Sequence, residues 1–210
     1  MNLELFVALA LFSAPPSAMQ APAPPIRLWR LDCGLFDIDN LEGRGRVLMP
    51  VSCYLIRHGD DLVLFDAGLE ASLIGKPQRA GEQTISLITT LATQLAQVGV
   101  DPTRVGTLIV SHYHGDHHGQ ADAFPNARLL MGAGDIDALR AEPVADQGAV
   151  APWIAGTRPA EPVSADRDLF GDGTVRLLYT PGHTPGHIAL LVKAGGEAFI
   201  LTSDLVHNRD

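Results

Sequence analysis

A polypeptide that sets four histidines and an aspartate within seven consecutive positions, His112-Tyr-His-Gly-Asp-His-His118, has to fold so that this segment meets something other than apolar core. Imidazole and carboxylate groups tolerate burial only when they are hydrogen-bonded or bound to a cation. His112 and His114 are two residues apart, so in an extended loop their rings point to one side and can share one ion. Gly115 then permits a sharp turn that sends Asp116 and His117 to a neighbouring ion. The donor set suits two divalent ions, Zn²⁺ first, with Fe, Mn or Co admitted on ligand type. The plainer reading, solvated histidines at a polar helix start, leaves the clustering unexplained.

The flanking sequence places this cluster. Thr107–Val110 reads as a short buried strand that stops at Ser111, and functional side chains collect at such strand ends. His183 lies in a loop fixed by Pro181, Gly182, Pro185 and Gly186, between strands expected at 175–179 and 188–192, and is read as the third ligand for the first ion, with a satisfied loop histidine as the plainer alternative. His187 opens the second of these strands and is expected to hold a ligand's orientation. His118 is either part of a helix start or a support for the ligands. Asp204 follows the apolar strand expected at 198–202, where its carboxylate can bridge two ions.

Elsewhere, 26–33, 52–58 and 62–65 read as an antiparallel opening with a turn at 58–61. Ile85, Ile88, Leu91, Ala92, Leu95 and Val98 recur at helical spacing and predict one amphipathic helix over 83–98, ended by Gly99 and Pro102. Gly132 to Asp172 mixes helical pieces with Gly, Pro and Asp, and is expected to form loops over a site. Leu35, Phe36, Met49 and Trp153 read first as core packing and second as an apolar substrate pocket.

At 210 residues the chain is long enough for one domain, assigned to 26–210, preceded by a leader at 1–25. A net charge of −9 argues against a nucleic-acid partner, whose backbone attracts Lys and Arg. Leu3–Phe12 is apolar and Ser13–Pro25 is small and Pro-rich, as in a secretory signal, but Met1–Glu4 supplies no basic residue. Export to the periplasm or beyond is therefore set against a cytoplasmic chain with a disordered leader or a misassigned start. The apolar run is too short for stable membrane insertion. Cys33 and Cys53 read as buried free thiols, with a bridge between them as the alternative if the chain is exported.

The run His112-Tyr-His-Gly-Asp-His117 resembles the metal-binding signature of the metallo-β-lactamase superfamily, and His183 and Asp204 fall where that superfamily supplies its next two ligands. Leu48-Met-Pro-Val-Ser-Cys-Tyr-Leu55, Leu62-Val-Leu-Phe-Asp-Ala-Gly68 and Leu178-Tyr-Thr-Pro-Gly-His-Thr-Pro-Gly-His187 look like the N-acyl homoserine lactonases. The resemblance runs from about Ile26 to the C-terminus. It implies an α+β fold, an αββα sandwich of two mixed sheets with helices outside and the metals at one edge. It also implies that Asp66 supports the metal loop without binding metal.

On this reading a hydroxide held between the ions attacks the carbonyl of an N-acyl homoserine lactone or another small ester, and Asp116 passes a proton to the leaving alkoxide. Two departures stand out. Where the lactonases commonly carry a tyrosine three residues after the bridging Asp, this chain has His207, which is assigned the tyrosine's role as a donor. The family's last His ligand, beyond the bridging Asp, has no counterpart before Asp210, so the sandwich is expected to be shortened at its C-terminal end. The alternatives are a superfamily hydrolase of arylesters, phosphotriesters, thioesters or β-lactams, or an inactive shortened chain. Oligomeric state is not legible.

Overall fold

The computed structural model describes residues 24–141 and 147–206. Most of the leader assigned to 1–25, and His207, lie outside the described residues. The chain opens with β1 (Ile26–Ile38), β2 (Val47–His58) and β3 (Asp61–Phe65), each antiparallel to its predecessor, and β1 carries a bulge between Asp32 and Gly34. β4 (Gln78–Ala80) and β5 (Gln83–Ser86) add to the outer edge of β1. After α1 (Leu91–Gln97), the strands β6 (Thr107–Ile109) and β7 (Arg128–Gly132) run parallel to β3. Then come α2 (Ala133–Ala141), α3 (Ala151–Ile154) and β8 (Ala160–Val163), the last parallel to β7. The eight strands form one mixed sheet, in the order β4-β5-β1-β2-β3-β6-β7-β8.

A second sheet of four strands, ordered β12-β11-β10-β9, comprises β9 (Arg167–Asp168), β10 (Val175–Tyr179), β11 (Ile188–Ala194) and β12 (Glu197–Leu201). All its pairings are antiparallel, which corrects the expectation of two mixed sheets.

Two cores follow from the two-residue period of a strand. On β3, Leu62 and Leu64 face one side while Val63 and Phe65 face the other, and β7 repeats this with Leu129 and Met131 against Leu130. The first side packs against Leu91 and Leu95 of α1, Ile136 and Leu139 of α2, and Trp153 of α3. The second packs against Val175, Leu177, Ile188, Leu190 and Val192 of the small sheet. Strands buried on both faces read as continuous apolar runs, as β3 and β6 do. The molecule is an α/β sandwich of two sheets. Among the described residues all three α-helices bury their apolar faces on the large sheet.

Three local expectations are overturned. The helix predicted over 83–98 starts only at Leu91, where Thr90 Oγ1 accepts the Thr93 N–H. Gln83–Ser86 instead pairs with Leu35–Ile38, so Ile85 packs as a strand residue and Ile88 is exposed. Helical spacing of the apolar residues could not reveal that a free edge on β1 was recruiting this segment. Between Gly132 and Asp172, α2, α3 and β8 pack into the body of the sandwich and do not form loops over the site. Cys33 and Cys53 are bridged, not free. Cys33 is the extra residue of the bulge between Asp32 and Gly34, and it reaches Cys53 diagonally, since Leu31 is the residue paired with Cys53.

Candidate metal centre

The side chains singled out from the sequence meet where strands of both sheets end. β3 delivers Asp66, and β6 runs through Val110 and Ser111 into the segment that begins at His112. The Asp66 backbone is left-handed, φ 62°, which turns its carboxylate back under that segment. There it accepts hydrogen bonds from the Ser111 N–H at 2.7 Å and the Ser111 hydroxyl at 2.9 Å, and lies 2.9 Å from His117 Nδ1. Asp66 is buried and serves as the hub that orients the histidine segment, the supporting place assigned to it from sequence.

His112 is fully buried, with Nε2 3.0 Å from His114 Nδ1, and His183 Nε2 is 3.1 Å from His114 Nδ1. Asp204 stands on the far side. Its Oδ2 is 3.8 Å from His112 Nε2 and 3.7 Å from His183 Nε2, while its Oδ1 is 3.4 Å from His117 Nε2. Asp116 Oδ2 lies 3.2 Å from that same nitrogen. Two groups result, His112, His114, His183 and Asp204, and Asp116, His117 and Asp204; within each, one donor atom per residue lies within 4.8 Å of all the others. Asp204 belongs to both. The turn at Gly115 is a single 3-10 turn, Gly115–His117, and needs no left-handed glycine.

The electrostatics fit a cation. Burial, then the neighbouring His117, pushes His112 down to about 2, so its imidazole is neutral with a free lone pair. Burial works against a charge on His117 too, but the Asp66, Asp116 and Asp204 carboxylates outweigh it and hold His117 well above the usual imidazole range. Burial would raise Asp116, yet its contact with His117 holds it below the usual carboxylate range. His117 Nε2 is buried and makes no hydrogen bond, although two carboxylates face it. A polar atom orphaned in this way is stable when a cation takes the place of a proton. These residues therefore fit a pair of divalent ions.

The supporting residues differ from expectation in part. His118 is buried and donates from Nε2 to the Tyr113 carbonyl at 2.9 Å, so it steadies the stretch between two of the clustered histidines. His187 Nδ1 pairs with the Thr180 hydroxyl at 2.8 Å; it closes its own loop and makes no hydrogen bond to a clustered histidine. Three participants escaped the sequence reading. Ser111 links Asp66 to His112 Nδ1, at 3.0 Å, and Ser203, at φ 48°, reaches Ser111 Oγ at 2.8 Å. Asp135 accepts from both histidine loops. Single serines and an aspartate in a helix's first turn carry no sequence signal of such contacts.

A cavity of about 230 Å³ opens beside Asp116 and Asp204, with Phe36, Met49, Tyr54 and Ile200 among its walls. Of the apolar quartet considered from sequence, Phe36 and Met49 line it. Leu35 faces a separate depression beside Arg30, and Trp153 is buried with its indole N–H on the Ala127 carbonyl. No helix among the described residues is long and apolar enough to cross a membrane.

The family model described as Metallo-beta-lactamase superfamily matches residues 46–210. The N-acyl homoserine lactonase AttM of Azorhizobium caulinodans is 26% identical over 204 residues, covering 86% of this chain and 74% of its own. A solved N-acyl homoserine lactone hydrolase with the product N-hexanoyl-L-homoserine bound at the catalytic metal center superposes with a TM-score of 0.69 at 24% identity, covering 84% of this chain and 74% of that one. A second, AidC, a dizinc quorum-quenching lactonase, gives 0.62 at 18% identity, covering 86% and 71%.

Proposed function

The chain belongs to the metallo-beta-lactamase superfamily, and from that premise we propose that it is a dinuclear metal-dependent hydrolase that opens the ring of N-acyl homoserine lactones. The observation that carries the hydrolase reading is the convergence of donors from both sheets into two groups sharing Asp204, beside a cavity whose remaining wall includes Phe36, Met49 and Ile200. The choice of lactone rests on the likeness to AttM and to the product-bound hydrolase. His112, His114 and His183 would hold one ion and Asp116 and His117 the other, with Asp204 common to both donor groups. Zinc is the expected metal, as in the dizinc relative.

When bound, the two ions supply Lewis acidity and a lowered pKa for water at neutral pH. The remaining work falls to the chain. Asp66, through Ser111 and His117, fixes the side chains around the reacting carbonyl. Asp116, at the cavity wall, is placed to pass a proton to the leaving alkoxide. Phe36, Met49 and Tyr54 give the acyl portion an apolar surface and exclude water. The Cys33–Cys53 bridge favours an oxidising compartment, which supports export as the proposed localisation.

Purified chain loaded with Zn²⁺ should carry two ions and hydrolyse N-hexanoyl homoserine lactone, with turnover abolished in His112→Ala. A panel that adds a phosphotriester, an arylester and a β-lactam decides the substrate class. Preference for the phosphotriester would reject the lactone, and a chain that binds no metal would reject the hydrolase.

A further inference from the structure

His114 and His183 are 69 residues apart and belong to loops at the ends of different sheets, yet their facing nitrogens stand 3.1 Å apart. Side chains on two loops keep such a register only if something rigid spans them. His183 rides on the Thr180–His187 loop, closed at its base by the Thr180 N–H on the His187 carbonyl and by the Thr180 hydroxyl on His187 Nδ1, with the Gly182 N–H on the Thr184 carbonyl around His183 itself. These bonds shape the loop but do not tie it to the His112–His114 segment.

The tip lies against the first turn of α2. The Gly186 N–H donates to Asp135 Oδ1 at 2.7 Å, and the Thr184 hydroxyl donates to Oδ2 at 2.9 Å. The same Oδ2 accepts the Tyr113 N–H at 3.1 Å, from the residue between His112 and His114. One carboxylate thus grips the two histidine loops, taking hold next to His183 on one side and between two histidines on the other. Asp135 is fully buried. All three partners are donors, so an ionised carboxylate satisfies every one, whereas an amide at this position offers a single acceptor oxygen and must turn an N–H₂ toward a donor.

Backbone packing closes the arrangement. A Cβ on Gly132 would fall 1.7 Å from the Gly186 carbonyl oxygen, and one on Gly186 would fall 2.6 Å from the Asp135 nitrogen. Glycine at both places is what lets the loop come near enough for a side chain as short as aspartate to reach both loops.

We infer that Asp135 is a positioning residue for the first ion: a buried strut that sets the distance between His183 and the His112–His114 pair without touching metal or substrate. The inference rests on the proposed metal centre but not on the choice of lactone. Its consequence is that the affinity and geometry of the three-histidine site depend on a carboxylate in α2, in a part of the chain to which the sequence assigned no site residue.

Cobalt titration with chelator competition tests this, read by the visible d–d spectrum of the bound ion and run alongside thermal melts of the metal-free proteins. Asp135→Asn should weaken the tighter cobalt site on the order of 10-fold to 100-fold and alter its spectrum. Thr184→Val removes one of the three bonds, should cost affinity in the same direction by a smaller factor, and gives a milder probe if the first variant folds poorly. A merely structural aspartate would lower the metal-free melting temperature and leave cobalt affinity and spectrum, measured well below the melt, as in the wild type. That result in both variants would overturn the strut while leaving the metal centre standing. Wild-type chain that takes up no cobalt would overturn both.

Discussion

Strands β3, β6 and β7, at the centre of the large sheet, are buried along nearly their whole length, whereas four of the five residues of β12, at the edge of the small sheet, are exposed. The side chains that the two sheets deliver differ in part in the same way, although Asp116, on the segment after β6, is itself 22% exposed. Asp66, Ser111, His112 and His117 are buried in one hydrogen-bonded group. The side chains of His183 and Asp204 are 26% and 27% exposed. A central strand holds its terminal residue by ladders on two sides, while the edge strand β12, before Asp204, holds it by one; His183 sits in the loop joining the two inner strands β10 and β11, away from any ladder, so both donors need tertiary bonds to fix them. Those bonds lead back to the large sheet: Ser203 to Ser111, the Ile188 N–H to the Ser111 carbonyl, and Thr184 and Gly186 to Asp135. The difference teaches that one sheet sets the geometry and the other borrows it.

The sharpest way to break this contrast is at the hub. Asp66→Ala leaves the Ser111 N–H and His117 Nδ1 without their buried acceptor, which should cost on the order of 3 to 4 kcal/mol and lower the melting temperature by about 10 °C. A melt within 2 or so degrees of wild type (roughly 1 kcal/mol for a chain of this size) would show that the inner half is no more tightly specified than the outer. Next in size is the Cys33–Cys53 bridge, which staples β1 to β2 across 20 residues of sequence. Replacing both cysteines by alanine should cost about 3 kcal/mol or somewhat less in urea unfolding. Equal midpoints for wild type with and without reductant would mean that the thiols are not joined in the folded chain.

How much of this was legible beforehand follows from the kind of interaction involved. The convergence of His112, His114, Asp116, His117, His183 and Asp204 was legible because donor types of this kind rarely cluster in a sequence, and the structure brings these six together in two groups. β3 and β6 were legible because strands buried on both faces are written as apolar runs. The strand at Gln83–Ser86 was not, because its pairing with Leu35–Ile38 is a long-range event and its local spacing equally fits a helix. Asp135 and Ser203 were hidden for the same reason: each acts on a loop distant in sequence, through bonds that no motif encodes. The Cys33–Cys53 bridge was not legible because Cys33 sits in a one-residue bulge, off the ladder in which Leu31 pairs with Cys53, and spacing in sequence does not encode a bulge.

Away from the metal centre the sheets are also joined by an ion pair. His58 ends β2, and its Nε2 lies 2.6 Å from Asp172 Oδ2 in the turn before β10, with Phe170 stacked on the imidazole at 3.8 Å. Burial would raise Asp172, but hydrogen bonds from Thr174 and His58 outweigh it and hold the carboxyl at about 2. A carboxyl whose folded pKa lies below its unfolded value stabilises the fold above the unfolded value, and that stability is lost as pH falls through the folded one. The window here runs from near 3.8 down to about 2. Partial solvent screening limits the effect to about 1 kcal/mol. Asp172→Asn should therefore lower the urea midpoint at pH 6, and the gap from wild type should shrink by roughly half at pH 3. A gap that does not narrow would remove the pair from the bonds between the sheets.

The smallest expected effect is on β12 itself. Ile200 is 61% exposed and forms part of the cavity wall, so Ile200→Ser should change stability by no more than about 0.5 kcal/mol, while raising KM for an acyl substrate if the cavity binds it. A stability loss of about 2 kcal/mol or more is the size expected from a buried aliphatic side chain. That outcome would mean that β12 is covered in solution by something other than the described residues, and the contrast between the sheets would then belong to these residues alone and not to the molecule as it works. A small loss with a changed KM would place Ile200 at the substrate's edge and leave the borrowed geometry of the outer donors as the weak point of the site.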